Sequence, residues 1–461
     1  MLPAPACYAG FSSCAIDLGK LDSVSKSVLV ISYIFPPVGG AGVQRVTKFV
    51  KYLPELGWSP IVLTAENPSV PLFDETLLLD VPHSVEVFRA KTMEPGYQTK
   101  QSISAASDTG NSRLNPKLLL KTLLRRIAIT LLQPDPQVLW LPGALRKARE
   151  IFQTRKPELI FATAPPFSSL ILGAMLARKY QVPLVLDYRD EWDISNSVWE
   201  NKRMGTISLA LQKRMQNYAI KAAKAIIATT KLSADELETK VAASKAPAKV
   251  HCIYNGYDAA DFAGSGDTQK DKQHYVLSYV GTLWNLTSIE PLVKAIAKLS
   301  ADSPELASKL KLVIAGRRTA KQDQLLAAIK NLPVKLVLHD YLDHAEAIKL
   351  ILRSHELILL LSNLEFARRV VPGKIFEYFA TGNTILAISP KGEVWKLLAD
   401  YKKAYTAEPS DIEAIASHLE TEIQKFVSGQ HSDEAPFDST RYERKELTKS
   451  LTKVFVEALT H

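Results

Sequence analysis

Three short segments carry residue types able to hold an anion beside a polyhydroxylated group. The first is Pro36-Pro37-Val38-Gly39-Gly40-Ala41-Gly42. Glycines here let a ligand reach the backbone, and the free N–H groups of a following helix suit a phosphate. A tight strand-to-helix turn would ask for the same glycines. The third glycine of GxGxxG is absent, as is an acidic residue at the end of the second strand, so a nicotinamide cofactor is not expected. The second segment is Asp187-Tyr188-Arg189-Asp190-Glu191-Trp192-Asp193. It follows a buried apolar run, where the crevice of a parallel sheet lies. Arg189 can bind an anionic group there and Asp190 can orient an acceptor hydroxyl; equally, an Asp–Arg pair can simply hold the loop. Glu191-x-Asp193 has nothing around it that completes a divalent-cation site. The third segment is Val371-Pro372-Gly373-Lys374-Ile375-Phe376-Glu377. Gly373 leads into a helix, Lys374 sits in its first turn, and Glu377 lies three residues on along the same face. A cation for a diphosphate and a carboxylate for ribose hydroxyls can hold a nucleotide-sugar, though a surface Lys–Glu pair has the same spacing.

These segments need elements to position them. Ser27–Tyr33 is a short apolar run fit for a buried strand. Apolar residues from Val43 to Leu56 recur at helical spacing, and Pro60–Thr64 reads as the next strand. Strand, glycine loop, helix and strand open a parallel α/β sheet. Strands are further expected at 159–162, 184–187, 225–229 and 250–254, with a helix over 168–180. A polar, glycine-containing stretch from Asp261 to Gln273 marks a domain boundary. A second α/β series follows, with strands at 275–280, 311–315, 334–339, 357–361 and 384–388. Its helices are expected at 288–299, from 321, at 345–354 and at 373–381. Residues 439–459 read as one amphipathic helix. The expected organisation is a disordered extension over 1–25 and an N-terminal domain over 26–262. A C-terminal domain over 273–438 and a last helix over 439–461 complete it.

Length agrees, because 461 residues exceed the ~250–300 at which one core stops growing. With 46% apolar and 23% charged residues, collagen, a disordered chain and a disulfide scaffold are excluded. Three cysteines (Cys7, Cys14, Cys252) suit a reducing compartment. No run of 18 apolar residues exists to span a membrane, and the N-terminus lacks the pattern of a signal peptide. Histidines 251, 339 and 355 stand alone beside strands and read as structural; no His/Cys cluster has metal spacing, so no metal is expected. The charge is uneven. Residues 1–260 hold 31 Lys+Arg and 22 Asp+Glu, and the remaining residues hold 26 of each, so the first half carries the whole +9. Lys117, Lys121, Arg125 and Arg126 line one face of an apolar helical pattern that can lie on an anionic bilayer or pack on the sheet. No module that reads nucleic acid surrounds this charge.

Together the motifs resemble the retaining GT-B glycosyltransferases of family 4. The resemblance runs from about residue 27 to the end. YIFPPVGGAGVQR (33–45), LVLDYRDEW (184–192), AIIATTKLSADEL (225–237), VHCIYNGYDAADF (250–262), YVGTLWN (279–285) and VPGKIFEYFATGNTILAI (371–388) carry it, in that order. It implies two doubly wound Rossmann-like α/β domains facing a central cleft, and metal-independent transfer of a sugar from a nucleotide-sugar to an acceptor hydroxyl with retention. It implies that Glu377 binds the donor ribose and that Gly281 and Thr282 approach the diphosphate. Gly39, Gly40 and Gly42 should line the cleft, and the last helix should cross back to the N-terminal domain. Asp190 and Arg189 are the expected catalytic pair.

The chain departs from the family pattern twice. The position eight before Glu377 is Arg369 instead of Glu, and the turn after Gly281 carries no cation, which leaves Lys374 as the best compensating charge for the diphosphate, with Arg368, Arg369 and Arg317 behind it. An epimerase of the same fold and an inactive nucleotide-sugar-binding subunit are the alternatives. A lipid-linked or saccharide acceptor in polysaccharide, lipopolysaccharide or glycolipid assembly would suit the basic half. The expected location is cytoplasmic, peripheral at the inner membrane face.

Overall fold

Apolar β-branched runs become the central strands of two parallel sheets. The computed structural model describes residues 25–97, 132–193, 205–263, 268–430 and 437–460. Residues 1–24 of the expected extension and the Lys117–Arg126 basic face lie outside them. The first sheet has seven strands: β1 Lys26–Ile31, β2 Trp58–Ala65, β3 Glu86–Ala90, β4 Leu159–Ala164, β5 Leu184–Tyr188, β6 Ala225–Ala228 and β7 Lys249–Cys252. Their order is β3-β2-β1-β4-β5-β6-β7, all parallel. The second has six: β8 Tyr275–Val280, β9 Leu310–Ala315, β10 Lys335–His339, β11 Glu356–Leu360, β12 Thr384–Ile388 and β13 Ala404–Ala407. Its order is β10-β9-β8-β11-β12-β13, again parallel.

Helices cover both faces, which is why central strands are apolar throughout. On β1, Leu29 and Ile31 enter one core cluster and Val28 and Val30 the other. On β11, Ile358 and Leu360 face one cluster and Leu357 and Leu359 the opposite one. The edge strands β3 and β13, mostly only half-buried, are additions to the sequence reading, whereas the edge strands β7 and β10 fall at expected positions. Helices Leu141–Thr154, Thr206–Ala222, Lys231–Ser244 and Ile412–Val427 are likewise additions.

The first and last helices differ most from expectation at their ends. The first runs Ala41–Tyr52; Pro54, which has no N–H, opens a separate 3-10 turn that Gly57 closes. The last is Arg444–Thr460, preceded by a turn at Thr440–Tyr442 and an extended Glu443. That break lets the chain change domains. Tyr442 packs on Phe376 and Phe379 at 5.1 and 5.4 Å. Phe455 instead meets Trp58 and Phe161 edge-on at 5.0 and 5.5 Å, within the first sheet's core.

Candidate active site

Each sheet reverses its winding once, at β1/β4 and at β8/β11. Adjacent loops diverge at such a point and leave a crevice beyond the strand C-termini. The loop holding Gly39 and Gly40 follows β1 and leads into the helix whose second residue is Gly42, and Gly281 follows β8. The Asp190 loop follows β5, and the Lys374 helix follows β11. The chemistry-bearing segments therefore meet at facing ends of the two sheets.

On the C-terminal domain, Gly281 has φ +142°, a backbone that side chains rarely adopt. A Cβ there would collide with Lys374 Nζ, so the glycine turn and the helix lysine are packed together. The ammonium lies over the Tyr279 ring at 3.7 Å and has no carboxylate partner among the described residues. Thr282 turns inward by its backbone: its carbonyl accepts from Tyr279 Oη (3.0 Å) and Thr287 Oγ1 (2.7 Å). Gly373 begins helix Lys374–Thr381 with open space where a Cβ would stand. Glu377 is half-buried on that helix. Burial pushes its carboxyl above the usual range; His344, Arg444 and Lys374 pull the other way, and Asp261 adds to the rise. Arg317 is exposed at the rim, while its neighbour Arg318 is bound to Asp323 and Asp340.

The N-terminal face is wired differently. Asp187 does not pair with Arg189: it takes Arg45 at 2.9 Å and Thr163 at 2.8 Å, all buried. Arg189 donates to the carbonyls of Ala164 (3.3 Å) and Pro165. Its Nη1 is buried without a partner and faces Gly42, where an added Cβ would sit 3.6 Å away. Gly39 fits against Leu72, and Gly40 takes φ +97° at the head of the helix. Asp190 is half-buried; burial pushes its carboxyl up, with Arg189 opposing and Asp187 adding. Trp192 is core, stacked on Phe167 at 4.5 Å, so it is withheld from any ligand.

Sequence reasoning missed the residues joining the faces. Arg444, buried at the start of the last helix, has an unpaired Nη1, and burial with Arg45 nearby pushes its guanidinium down to about 9. Lys48, 2% exposed, meets Asp80, Asp258 and Asp261 at 2.7–2.8 Å. His344 Nε2 reaches Asp261 at 3.0 Å from the other domain. Glu393 accepts from Tyr254 Oη (2.6 Å) and from the N–H of Lys231 (3.0 Å), the first residue of helix Lys231–Ser244. No local pattern marks these residues; each becomes visible only through partners far away in sequence. Among the described residues no group of His, Cys, Asp and Glu could hold a metal ion, and no helix is long and apolar enough to cross a membrane.

Two doubly wound parallel α/β domains define a class, and comparison with known proteins gives the family. Residues 38–261 match the family model for Glycosyltransferase Family 4, and residues 274–425 match Glycosyl transferases group 1. The chain belongs to the family 4 type of glycosyltransferase. No curated protein matches it. Among solved structures it is similar to HepE from Anabaena in complex with UDP and glucose, at TM-score 0.55 and 15% identity over 94% of this chain and 99% of that one. A glycosyltransferase from Rickettsia africae is similar at TM-score 0.53 and 15% identity, covering 94% and 99%. An α,α-trehalose 6-phosphate synthase from Burkholderia multivorans gives 0.56 and 11%, covering 95% and 97%. At these identities the neighbours establish the GT-B fold.

Proposed function

We propose that the protein transfers a hexosyl or related sugar from a nucleoside diphosphate-sugar to an acceptor hydroxyl, with retention at the anomeric carbon and without a metal. The observation that carries this is the pairing of Lys374 against Gly281 with Glu377 one turn on. Both are half-buried charges without an ion-pair partner among the described residues. Lys374, the Gly281–Thr282 turn and the N–H groups at Gly373 meet the diphosphate as negative charge develops on it, with Arg317 at the rim. Glu377 accepts from the ribose hydroxyls. Asp190, whose carboxyl is pushed up by burial and held toward the ionised form by Arg189, contacts the acceptor hydroxyl or, as the carboxylate, supports positive charge on the sugar. Arg189 fixes the β4 loop and presents its free Nη1 toward the Gly39–Gly42 loop. HepE was solved with UDP and glucose and also with UDP-glucose, which makes UDP-sugars the first donors to test.

The acceptor side is the basic half. A lipid-linked or saccharide acceptor in polysaccharide, lipopolysaccharide or glycolipid assembly, met at the inner face of a membrane, fits that charge. The function is tested by a thermal-shift screen with nucleoside diphosphates and their sugars, followed by product analysis. Stabilisation by a nucleoside diphosphate and its release from the sugar donor are expected. Sugar isomerisation without release would replace the transferase by an epimerase, and binding without turnover would make it an inactive subunit. Retention at low salt on anionic vesicles, lost at high salt, checks the membrane part.

A further inference from the structure

Arg369 lies in the C-terminal domain, five residues before Lys374, yet its side chain is used by the other domain. Its Nη2 lies 3.2 Å from Glu191 Oε2 and its Nη1 3.3 Å from Glu236 Oε2. Its own carbonyl accepts from Thr230 Oγ1 at 3.0 Å. Thr230 Oγ1 in turn accepts from the Ser233 N–H at 3.1 Å, and Ser233 Oγ donates to Glu191 Oε1 at 2.6 Å. Arg369, Thr230, Ser233 and Glu191 thus form a ring spanning both domains, made of three hydrogen bonds and closed by the Arg369–Glu191 ion pair, in which Glu191 Oε2 accepts no hydrogen bond among the described residues. Glu191 is only 6% exposed, so an unpaired charge there would be costly. Burial pushes its carboxyl up, while Ser233 and Arg369 hold it toward the ionised form. Each Nη of the guanidinium faces a carboxylate, which leaves it poorly placed to bind a substrate anion.

The ring's place in the chain gives it a consequence. Glu191 directly follows Asp190, and Arg369 leads into the turn that starts the Lys374–Thr381 helix. A bridge between these two points sets the spacing between the acceptor-side carboxylate and the donor-side helix. A second strut stands beside it, where Glu393 caps the N-terminus of the helix bearing Ser233 and Glu236.

We propose that Arg369 is a cross-domain positioning residue for glycosyl transfer, acting through Glu191 to place Asp190 opposite the donor helix. The inference rests on the transferase reading above. It assigns Arg369 a role in the rate of the chemical step and none in holding the donor.

The test follows nucleoside diphosphate release from UDP-, GDP- and ADP-hexoses with candidate saccharide acceptors, together with UDP, GDP and ADP binding by calorimetry. With the donor that the wild type uses, Arg369→Ala should lower kcat by about 100-fold, the scale of an ångström's misplacement. The donor KM and the nucleoside diphosphate Kd should stay within about twofold, because that contact is made by Lys374 and Glu377. Glu191→Gln should behave alike, and the double variant should be no worse than either single, since both remove one bridge. Arg369→Lys should recover part of the rate. Thermal unfolding checks that each variant folds; the double variant, with both charges gone, serves if Arg369→Ala does not. Unchanged kcat in the folded variants would overturn the inference and leave the transferase reading standing. A raised donor KM with unchanged kcat would also overturn it, by making Arg369 a donor ligand. Wild-type binding and turnover of none of these nucleotides would instead defeat the transferase reading, and this inference with it.

Discussion

The two faces of the cleft use their charged side chains in opposite ways. On the N-terminal face Arg45 is locked to Asp187, and Arg189 is turned onto the carbonyls of Ala164 and Pro165. On the C-terminal face Lys374 rests on a tyrosine ring, and Glu377 stands half-buried with neither an ion pair nor a hydrogen bond among the described residues. A charge held partly out of water without a partner lowers stability, so its retention points to a partner from outside the chain. The paired groups of the first face hold loops in place; the unpaired groups of the second are the ones proposed to meet a ligand. Asp190 is the exception on the first face, and its freedom is what marks it there.

Substitutions can break this contrast. The largest effect is expected from Arg45→Ala, which leaves Asp187 buried without its cation and should cost about 3–5 kcal/mol in urea unfolding. A loss below about 1 kcal/mol would mean that the N-terminal face is not held by this pair. Lys374→Ala should weaken nucleoside diphosphate binding by about 1.5–3 kcal/mol, the worth of a charge-assisted contact, with little change in unfolding midpoint. An unchanged Kd in calorimetry would remove Lys374 from the site. Glu377→Ala should likewise lower donor affinity while the fold stays intact; unchanged affinity would sink its ribose role. Gly281→Ala forces a side chain onto φ +142° and against Lys374, and should cost about 1–3 kcal/mol of stability and displace the ammonium as well. If stability and nucleotide binding both survive, the packing of that turn against the lysine is not what positions the cation.

The smallest effect concerns the joint between the faces. The hydrogen bond from His344 to Asp261 raises the histidine's pKa, burial opposing it, with Glu377 also raising and Lys48 lowering it. A raised folded-state value means that the contribution is complete below the unfolded pKa and is lost as pH rises through the folded one. Wild-type stability should therefore decline over that interval, and His344→Gln should flatten the decline. Parallel pH profiles for the two proteins would remove His344 from the joint.

Much of the fold was legible because its signals are local. Ser27–Tyr33 and Leu357–Leu361 are apolar on both faces since both faces of each sheet are covered, and Gly39–Gly42 and Pro372-Gly373 punctuate the chain where loops must turn. The edge strands Glu86–Ala90 and Ala404–Ala407 carry too short an apolar run to read as strands, whereas the equally half-buried edge strands Lys249–Cys252 and Lys335–His339 sit in longer apolar runs and were expected. The last helix was read as starting five residues early, since a helical spacing does not reveal the extended Glu443 that carries the chain between domains.

Local spacing is enough to predict two α/β domains, the loops that open toward a crevice, and the lysine and glutamate presented on one helix face. Each follows from residues within a turn or two of one another, where spacing alone decides geometry. Only the tertiary structure decided which charges were free. Arg45 finds Asp187 at a separation of 142 residues, and Arg369 finds Glu191 in the other domain. Asp187-Tyr188-Arg189 offered a local ion pair that packing declined: Asp187 takes Arg45 and Thr163, and Arg189 takes the carbonyls of Ala164 and Pro165. Partnership between buried charges depends on which strand ends are brought together, and that is settled by topology.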